Sequence, residues 1–342
     1  MKYSIPLIVL FLFSCKKNDI DLPVYFTRDS ALVLNGGENS ISVINTKNFS
    51  EKSRFLIENN GKAFAHHIYF SSDRNKLAVA LPEYDFSNGH NGLHGSNVLG
   101  GIAVIDVKAN KTGGIFPVSI ANHNAIFSID GKEIWTSLVS HSGKIAIYNS
   151  ENYKLIKEIP VGPDPSEVIF ASNGTLALVA CGETSFLTVI DTQTKEIIKE
   201  IKVDPFPTNV WPGWSQNIVF VENGNQKTIN IIDLDSFKVI DYIDFDFVPG
   251  FMIFNSLTSE LWVCAPGINK LKIFEKTDSV WKLKNEIETD RDPHQIGFIN
   301  NLTQAIVINQ KGNTAQLIDV KTLKVIKKIN VGLKPNGIVI WE

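Results

Sequence analysis

Thr188-Val189-Ile190-Asp191-Thr192-Gln193-Thr194-Lys195-Glu196-Ile197-Ile198-Lys199-Glu200-Ile201-Lys202-Val203 reads as two short β-strands around a polar turn, and the chain repeats it. The place of Asp191 recurs at Asn45, Asp106, Asn149, Asp233, Glu275 and Asp319, which makes seven copies. Their successive spacings are 61, 43, 42, 42, 42 and 44 residues. A fixed period in this range marks a propeller, a solenoid or an array.

The unit around Asp191 divides by alternation and turn residues into four strands. Pro165 to Phe170 is strand A, Ser172-Asn173-Gly174 a turn, Leu176 to Ala180 strand B, Phe186 to Ile190 strand C and Glu196 to Ile201 strand D; the next unit starts at Pro207. Four short antiparallel strands per repeat, with no helical periodicity, predict an all-β, seven-bladed propeller of four-stranded blades. The first copy has strands B (Ala31 to Asn35), C (Ser42 to Ile44) and D (Ser53 to Ile57) but no strand A, while Pro335 to Glu342 is a strand A with nothing after it. Pairing the C-terminal strand into the first blade removes two exposed sheet edges, so the ring is expected to close there.

With 342 residues, 44% hydrophobic and 20% charged, the chain has an ordinary globular composition, read as one repeat domain over residues 28–342. A formal charge of −3 without any long block of like charge leaves no electrostatic footprint for nucleic acid. Residues 1–14 read as a targeting segment: Met1-Lys2-Tyr3 is positive, and the apolar run Ile5 to Phe13 is too short to span a bilayer. Leu12-Phe13-Ser14-Cys15 resembles a bacterial lipobox, which implies cleavage before Cys15 and a lipid on its sulfur. Residues 15–27 would then be a lipid-anchored tether, with the acyl chains holding the protein to the membrane. Its Lys16-Lys17-Asn18-Asp19-Ile20-Asp21 looks like the Lys-plus-acidic signals that route lipoproteins to the cell surface in Bacteroidetes-type bacteria. The resemblance implies an outer-membrane lipoprotein exposed at the surface, the periplasmic face being the alternative. Cys181 and Cys264 end corresponding strands two repeats apart, too far for a disulfide, and are expected to be packed thiols.

The pattern Val-Ile-Asp-Thr-x-Thr, then Ile-x-x-x-Ile-x-Val, then x-Pro before the next strand, resembles the YVTN or YncE-like seven-bladed propellers over residues 28–342. In this strand order the D-to-A and B-to-C loops share one face, and all seven histidines map to it. His66, His67 and His123 open strand A of blades 2 and 3, and His294 opens it in blade 7. His90 and His94 lie in a Gly- and Asn-rich B-to-C insertion, Pro82 to Gly101, which accounts for the 61-residue spacing. A long loop on a tight scaffold points to function, so the insertion, with Tyr84, is read as a lid over the mouth.

Candidate ligand-binding residues are therefore His66, His67, His123, Asn124, Glu167, His294, His90, His94 and Tyr84. Neutral imidazole is a common metal ligand, and His66, His123 and His294 would leave a coordination position open. Nitrous oxide reductase and cytochrome cd1 resemble this architecture and carry histidine-bound metal centres. Two plainer readings stand beside that one: histidines that hold strands together, and histidines that contact an organic ligand. Trp211, Trp214 and Phe251 offer aromatic surface for stacking or for packing between blades. No Ser-His-Asp order, P-loop or dinucleotide fingerprint occurs.

The favoured function is a lipid-anchored, monomeric binding protein that captures a small molecule or metal complex at the His-rich face. Its expected partner is an outer-membrane transporter, by resemblance to surface propeller lipoproteins that hold corrinoids for uptake. The alternatives are a metal-dependent propeller enzyme, similar to lactonases, a streptogramin lyase or quinoprotein oxidoreductases, and a protein-interaction scaffold. The absence of a complete catalytic constellation in the sequence weighs against the enzyme.

Overall fold

The computed structural model describes residues 25–57, 61–90, 93 and 98–342. The targeting segment, Cys15, most of the tether and His94 lie outside the described residues.

The repeat is made by its turn. Asp191 accepts hydrogen bonds at Oδ1 from the backbone N–H of Gln193 (3.1 Å) and Thr194 (2.7 Å) and from the Thr194 hydroxyl (2.9 Å). A short carboxylate or carboxamide folds the chain back on itself this way, which is why the position is Asp or Asn. Asn45, Asp106, Asn149, Asp233 and Asp319 accept in the same manner. Four residues after each, Phe49, Asn110, Tyr153, Lys195, Phe237 and Leu323 have φ between 49° and 59°, the left-handed step that lets strand D pair back on strand C. Glu275 departs from the pattern because its extra methylene changes the reach. It bonds Lys284 at 2.8 Å instead, and the blade 6 hairpin runs on to Asp278 and Ser279.

Among the described residues the strands form seven four-stranded antiparallel sheets. Blade 4 is Pro165–Ala171, Leu176–Cys181, Phe186–Asp191 and Glu196–Lys202. Blade 1 takes the C-terminal Pro335–Trp341 as its strand A beside Ser30–Asn35, Ser40–Asn45 and Ser50–Leu56, so the ring closes as expected. Strands B and C are buried almost end to end because each sheet packs its faces on two neighbours, whereas the outer strands D are largely exposed. Each seam is an apolar cluster, such as Trp135, Ile147, Val168 and Val179 between blades 3 and 4. Cys181 and Cys264 are buried and free, and burial pushes the Cys181 thiol up to about 12.

The inner strands are also stitched by side chains. Asn124 donates to the Val168 carbonyl (2.9 Å) and accepts from its N–H (3.2 Å); Gln295 accepts from the Ile338 N–H (2.9 Å), and Asn336 donates to the Ala65 carbonyl (2.8 Å). Replacing Asn124 by Ala leaves both Val168 groups unmatched in a buried seam. At about 1–3 kcal/mol per orphaned group, the expected loss is about 3 kcal/mol of unfolding free energy in urea. A loss under about 1 kcal/mol would mean the stitch is not structural.

Candidate metal centre at the mouth of the channel

Strand A carries a bulge in five blades, at the end facing the D-to-A and B-to-C loops. Pairing slips between His66 and Ile68, Asn122 and Ala125, Pro165 and Val168, Pro293 and Gln295, and between Leu34 and Asn35 opposite the C-terminal strand. A bulge re-aims side chains. Here the residues in the slips include His67, His123, Glu167 and His294, and they gather at the inner end of the mouth. His67 has φ 49°, an uncommon conformation for a residue with a Cβ, and it places the ring at the centre of the group. Ring centroids lie 4.2 Å (His66), 5.2 Å (His123), 6.2 Å (His294) and 6.3 Å (Trp211) from that of His67.

Glu167 is fully buried. Its Oε2 accepts from the Tyr69 hydroxyl at 3.0 Å. Its Oε1 contacts His67 Nδ1 and lies 3.4 Å from His123 Nδ1. None of these three atoms has a hydrogen-bond partner of sound geometry among the described residues. His67, His123 and Glu167 offer ligand atoms within 4.8 Å of one another, and so do His66, His67 and His294. The structure thus divides the His66, His123 and His294 trio between two groups that meet at His67.

Burial and close neighbours move several of these groups from their ordinary values. Burial lowers the His123 imidazole to about 4 against the pull of Glu167, and lowers His294 to about 3 with help from His67. Burial, then His67 and His123, holds His66 well below the usual histidine range. Burial would raise Glu167, but the neighbouring His67 and His123 outweigh it and hold the carboxyl well below the usual carboxylate range. Neutral nitrogen and ionised oxygen are the ligating states. His66 Nδ1 donates to the His123 carbonyl at 2.9 Å, which leaves the lone pair on Nε2.

The mouth is a cavity of about 620 Å³ between these residues and the rim. The blade 2 insertion crosses it. Asp85 caps the short 3-10 turn Phe86–Asn88 and pairs with Lys334 on one side, while His90 Nδ1 meets Asp164 Oδ1 at 2.8 Å on the other. Phe86, buried, packs its ring 5.0 Å from each of His66, His90 and His123. Tyr84 does not line the cavity; it packs behind Phe86 at 5.1 Å and donates to the Gly89 carbonyl. Asn124 is spent on the stitch to Val168, and His141 pairs with Glu183 at the exposed rim. Trp211 lines the mouth with Phe251, whereas Trp214 lies outside it against Phe220, Phe254 and Trp281.

Two groups at the site, half-buried Tyr69 and buried Glu222, went unread in the sequence. Tyr69 follows the bulge at His67 by two residues and reaches Glu167 with its hydroxyl. Glu222 is a carboxylate at the end of the apolar strand Ile218–Asn223, and it accepts from Trp211 Nε1 at 3.0 Å and Asn209 Nδ2 at 3.3 Å. Burial, partly offset by those donors, raises its carboxyl from 4.5 to about 7. The folded protein therefore keeps a proton that the unfolded chain has lost, and this share of stability is present below pH 4.5 and disappears as pH rises through 7. It amounts to about 3 kcal/mol. Glu222→Gln removes it, so the stability of the variant minus that of wild type is expected to rise by that amount between pH 4.5 and 8 in urea titrations. A difference that stays flat with pH would refute the assignment.

No family model and no curated protein matches the chain. Solved structures do. A functionally unknown protein from Desulfotomaculum acetoxidans superposes with a TM-score of 0.72 at 15% identity over 91% of this chain and 98% of that one. A putative 6-phosphogluconolactonase from Bacteroides fragilis gives 0.71 at 14% identity over 93% and 99%, and the periplasmic gluconolactonase of Pseudomonas aeruginosa 0.70 at 13% over 91% and 98%. At these identities the likeness is one of fold alone, the seven-bladed propeller.

Proposed function

We propose that this propeller is a ligand-capture protein of the cell envelope, with a divalent transition-metal ion on His67, His123 and Glu167 at the inner end of its mouth. The observation that carries the reading is the convergence of three buried atoms without a hydrogen-bond partner among the described residues, His67 Nδ1, His123 Nδ1 and Glu167 Oε1. Leaving such groups unmatched costs about 1–3 kcal/mol each, and one cation satisfies all three. Two imidazoles and a carboxylate suit zinc and its neighbours and leave a coordination position open toward the cavity. A small molecule with one donor atom completes the shell, between the aromatic rings of Phe86, Trp211 and Phe251. Two of the similar structures are described as lactonases, which favours a small molecule over a macromolecule as occupant.

In this reading the lipid on Cys15 ties the protein to the outer membrane, facing outward, as a monomer that passes its ligand to an outer-membrane transporter. That part is supported by the lipobox-like Leu12 to Cys15 and the tether after it. The test is elemental analysis of the full-length chain, stripped with chelator and reloaded with Zn²⁺. Retained zinc that falls in Glu167→Gln, with the circular dichroism of wild type, is the expected result. No retained zinc, or equal zinc in both proteins, would remove the basis for the proposal.

A further inference from the structure

We propose that the half of the central channel away from the histidines is a second small-molecule site, for an uncharged and largely apolar ligand. It needs no metal and stands apart from the ion proposed above. The cavity there measures about 650 Å³ and is walled by strand A of all seven blades, with Tyr69, Ile126, Phe170, Ile253, Phe254 and Ile338 among its residues. A pocket of this size inside a ring of strands suits a small molecule and not the face of a partner protein.

The lining selects against charge. No Asp, Glu, Lys, Arg or His walls this cavity, whereas the mouth has Asp164, Glu222 and Lys311 besides its histidines. A charged ligand in the lower half would lose its water with nothing to pair it. The polar side chains there are engaged already. Glu167 accepts from the Tyr69 hydroxyl at 3.0 Å, Glu222 from Trp211 Nε1 at 3.0 Å and Asp130 from the Ser128 hydroxyl at 2.7 Å, while Gln295 Oε1 accepts from the Ile338 N–H at 2.9 Å. Ser72 and Ser256 lie in A-to-B turns, at the outer opening. What remains polar is the backbone of strand A, the edge strand of each sheet, which can take a carbonyl or a hydroxyl on the ligand.

The apolar surface is also left uncovered. Ile126, Phe170, Ile253, Phe254 and Ile338 are only half-buried although they belong to the innermost strands. Contiguous apolar surface without a protein partner marks a binding site. Trp211, Phe251 and Gln295 line both cavities, so the two sites meet at one waist.

The experiment titrates the full-length chain, stripped with chelator, with N-phenylnaphthylamine, an uncharged aromatic probe that brightens out of water, and counts bound probe by equilibrium dialysis. One probe per chain is expected. Binding should weaken at least about tenfold in Ile253→Lys, which puts a charge into the cavity, and in Ile126→Trp, which fills it; either variant decides, provided it keeps the circular dichroism of wild type. Val248→Lys, on the exposed lining of the mouth, should leave binding unchanged. A wild type that takes up no probe overturns the proposal without any variant. Equal binding in all four proteins, or a loss confined to Val248→Lys, places the probe outside the lower cavity and overturns it too. A dimer in gel filtration that the probe dissociates assigns the cavity to a second copy of the chain, with the same consequence.

Discussion

Removal of residues 335–342 is expected to leave no folded monomer. Pro335–Trp341 is the inner strand of blade 1 and pairs along Ser30–Asn35, with Ile338 opposite Val33, Val339 opposite Leu32 and Ile340 opposite Ala31. Val339 and Trp341 pack into the seam with blade 2, and Ile338 and Ile340 into the seam with blade 7. The segment also carries the Asn336 and Ile338 stitches to its two neighbours. Half-buried apolar side chains at about 1–2 kcal/mol each, with a row of ladder hydrogen bonds at about 1 kcal/mol each, sum to on the order of 10 kcal/mol. That is comparable with the whole stability of an ordinary domain, about 5–15 kcal/mol. The buried strand Ser30–Asn35 would become an open edge, a template for pairing with another chain. Light scattering after gel filtration should show aggregates or exchanged oligomers, and circular dichroism a lost transition. A monomer with a cooperative, wild-type-like melt would contradict the account of closure.

Zinc is expected to stabilise the wild type strongly and Glu167→Gln hardly at all. Binding to the folded state alone adds RT ln(1 + [L]/Kd), about 4 kcal/mol at a thousandfold excess over Kd. Gln keeps the size of the side chain but offers no anionic oxygen, so the two histidine nitrogens remain without the charge that completes the group. Without metal, the same substitution removes the carboxylate that receives the Tyr69 hydroxyl and faces His67 and His123. Breaking a buried charged network from one side costs about 3–5 kcal/mol. The two effects separate cleanly in urea melts run with zinc and with chelator. Equal stabilisation of both proteins by zinc would place the ion elsewhere.

The fold was legible because its determinants are local and repeated. Asp191 and its counterparts fold one kind of turn, the alternation around them fixes strand direction, and the missing and surplus strands A imply closure. The departures are local too. Strand A of blade 5 is Asn209–Pro212, shorter than a start at Pro207 suggests, because Pro207 has no N–H to give a ladder and Thr208 turns its N–H to the Glu222 carbonyl. The site was legible as a list of residues and not as a group. Aligning the blades ranks His66 beside His123 and His294, but the bulge at His67 is a property of pairing, and it makes His67 the residue common to both ligand groups. Glu167, the only carboxylate at its position in strand A, was a usable signal. In the insertion the aromatic residue that reaches the histidines is Phe86 and not Tyr84, since the cap at Asp85 turns the chain inward there.

The most direct test of the metal reading is diffraction from crystals of the zinc-loaded chain at the zinc absorption edge. The account predicts an anomalous peak between His67 Nδ1, His123 Nδ1 and Glu167 Oε1. A map with no peak there, or with zinc bound only at surface carboxylates, would contradict it.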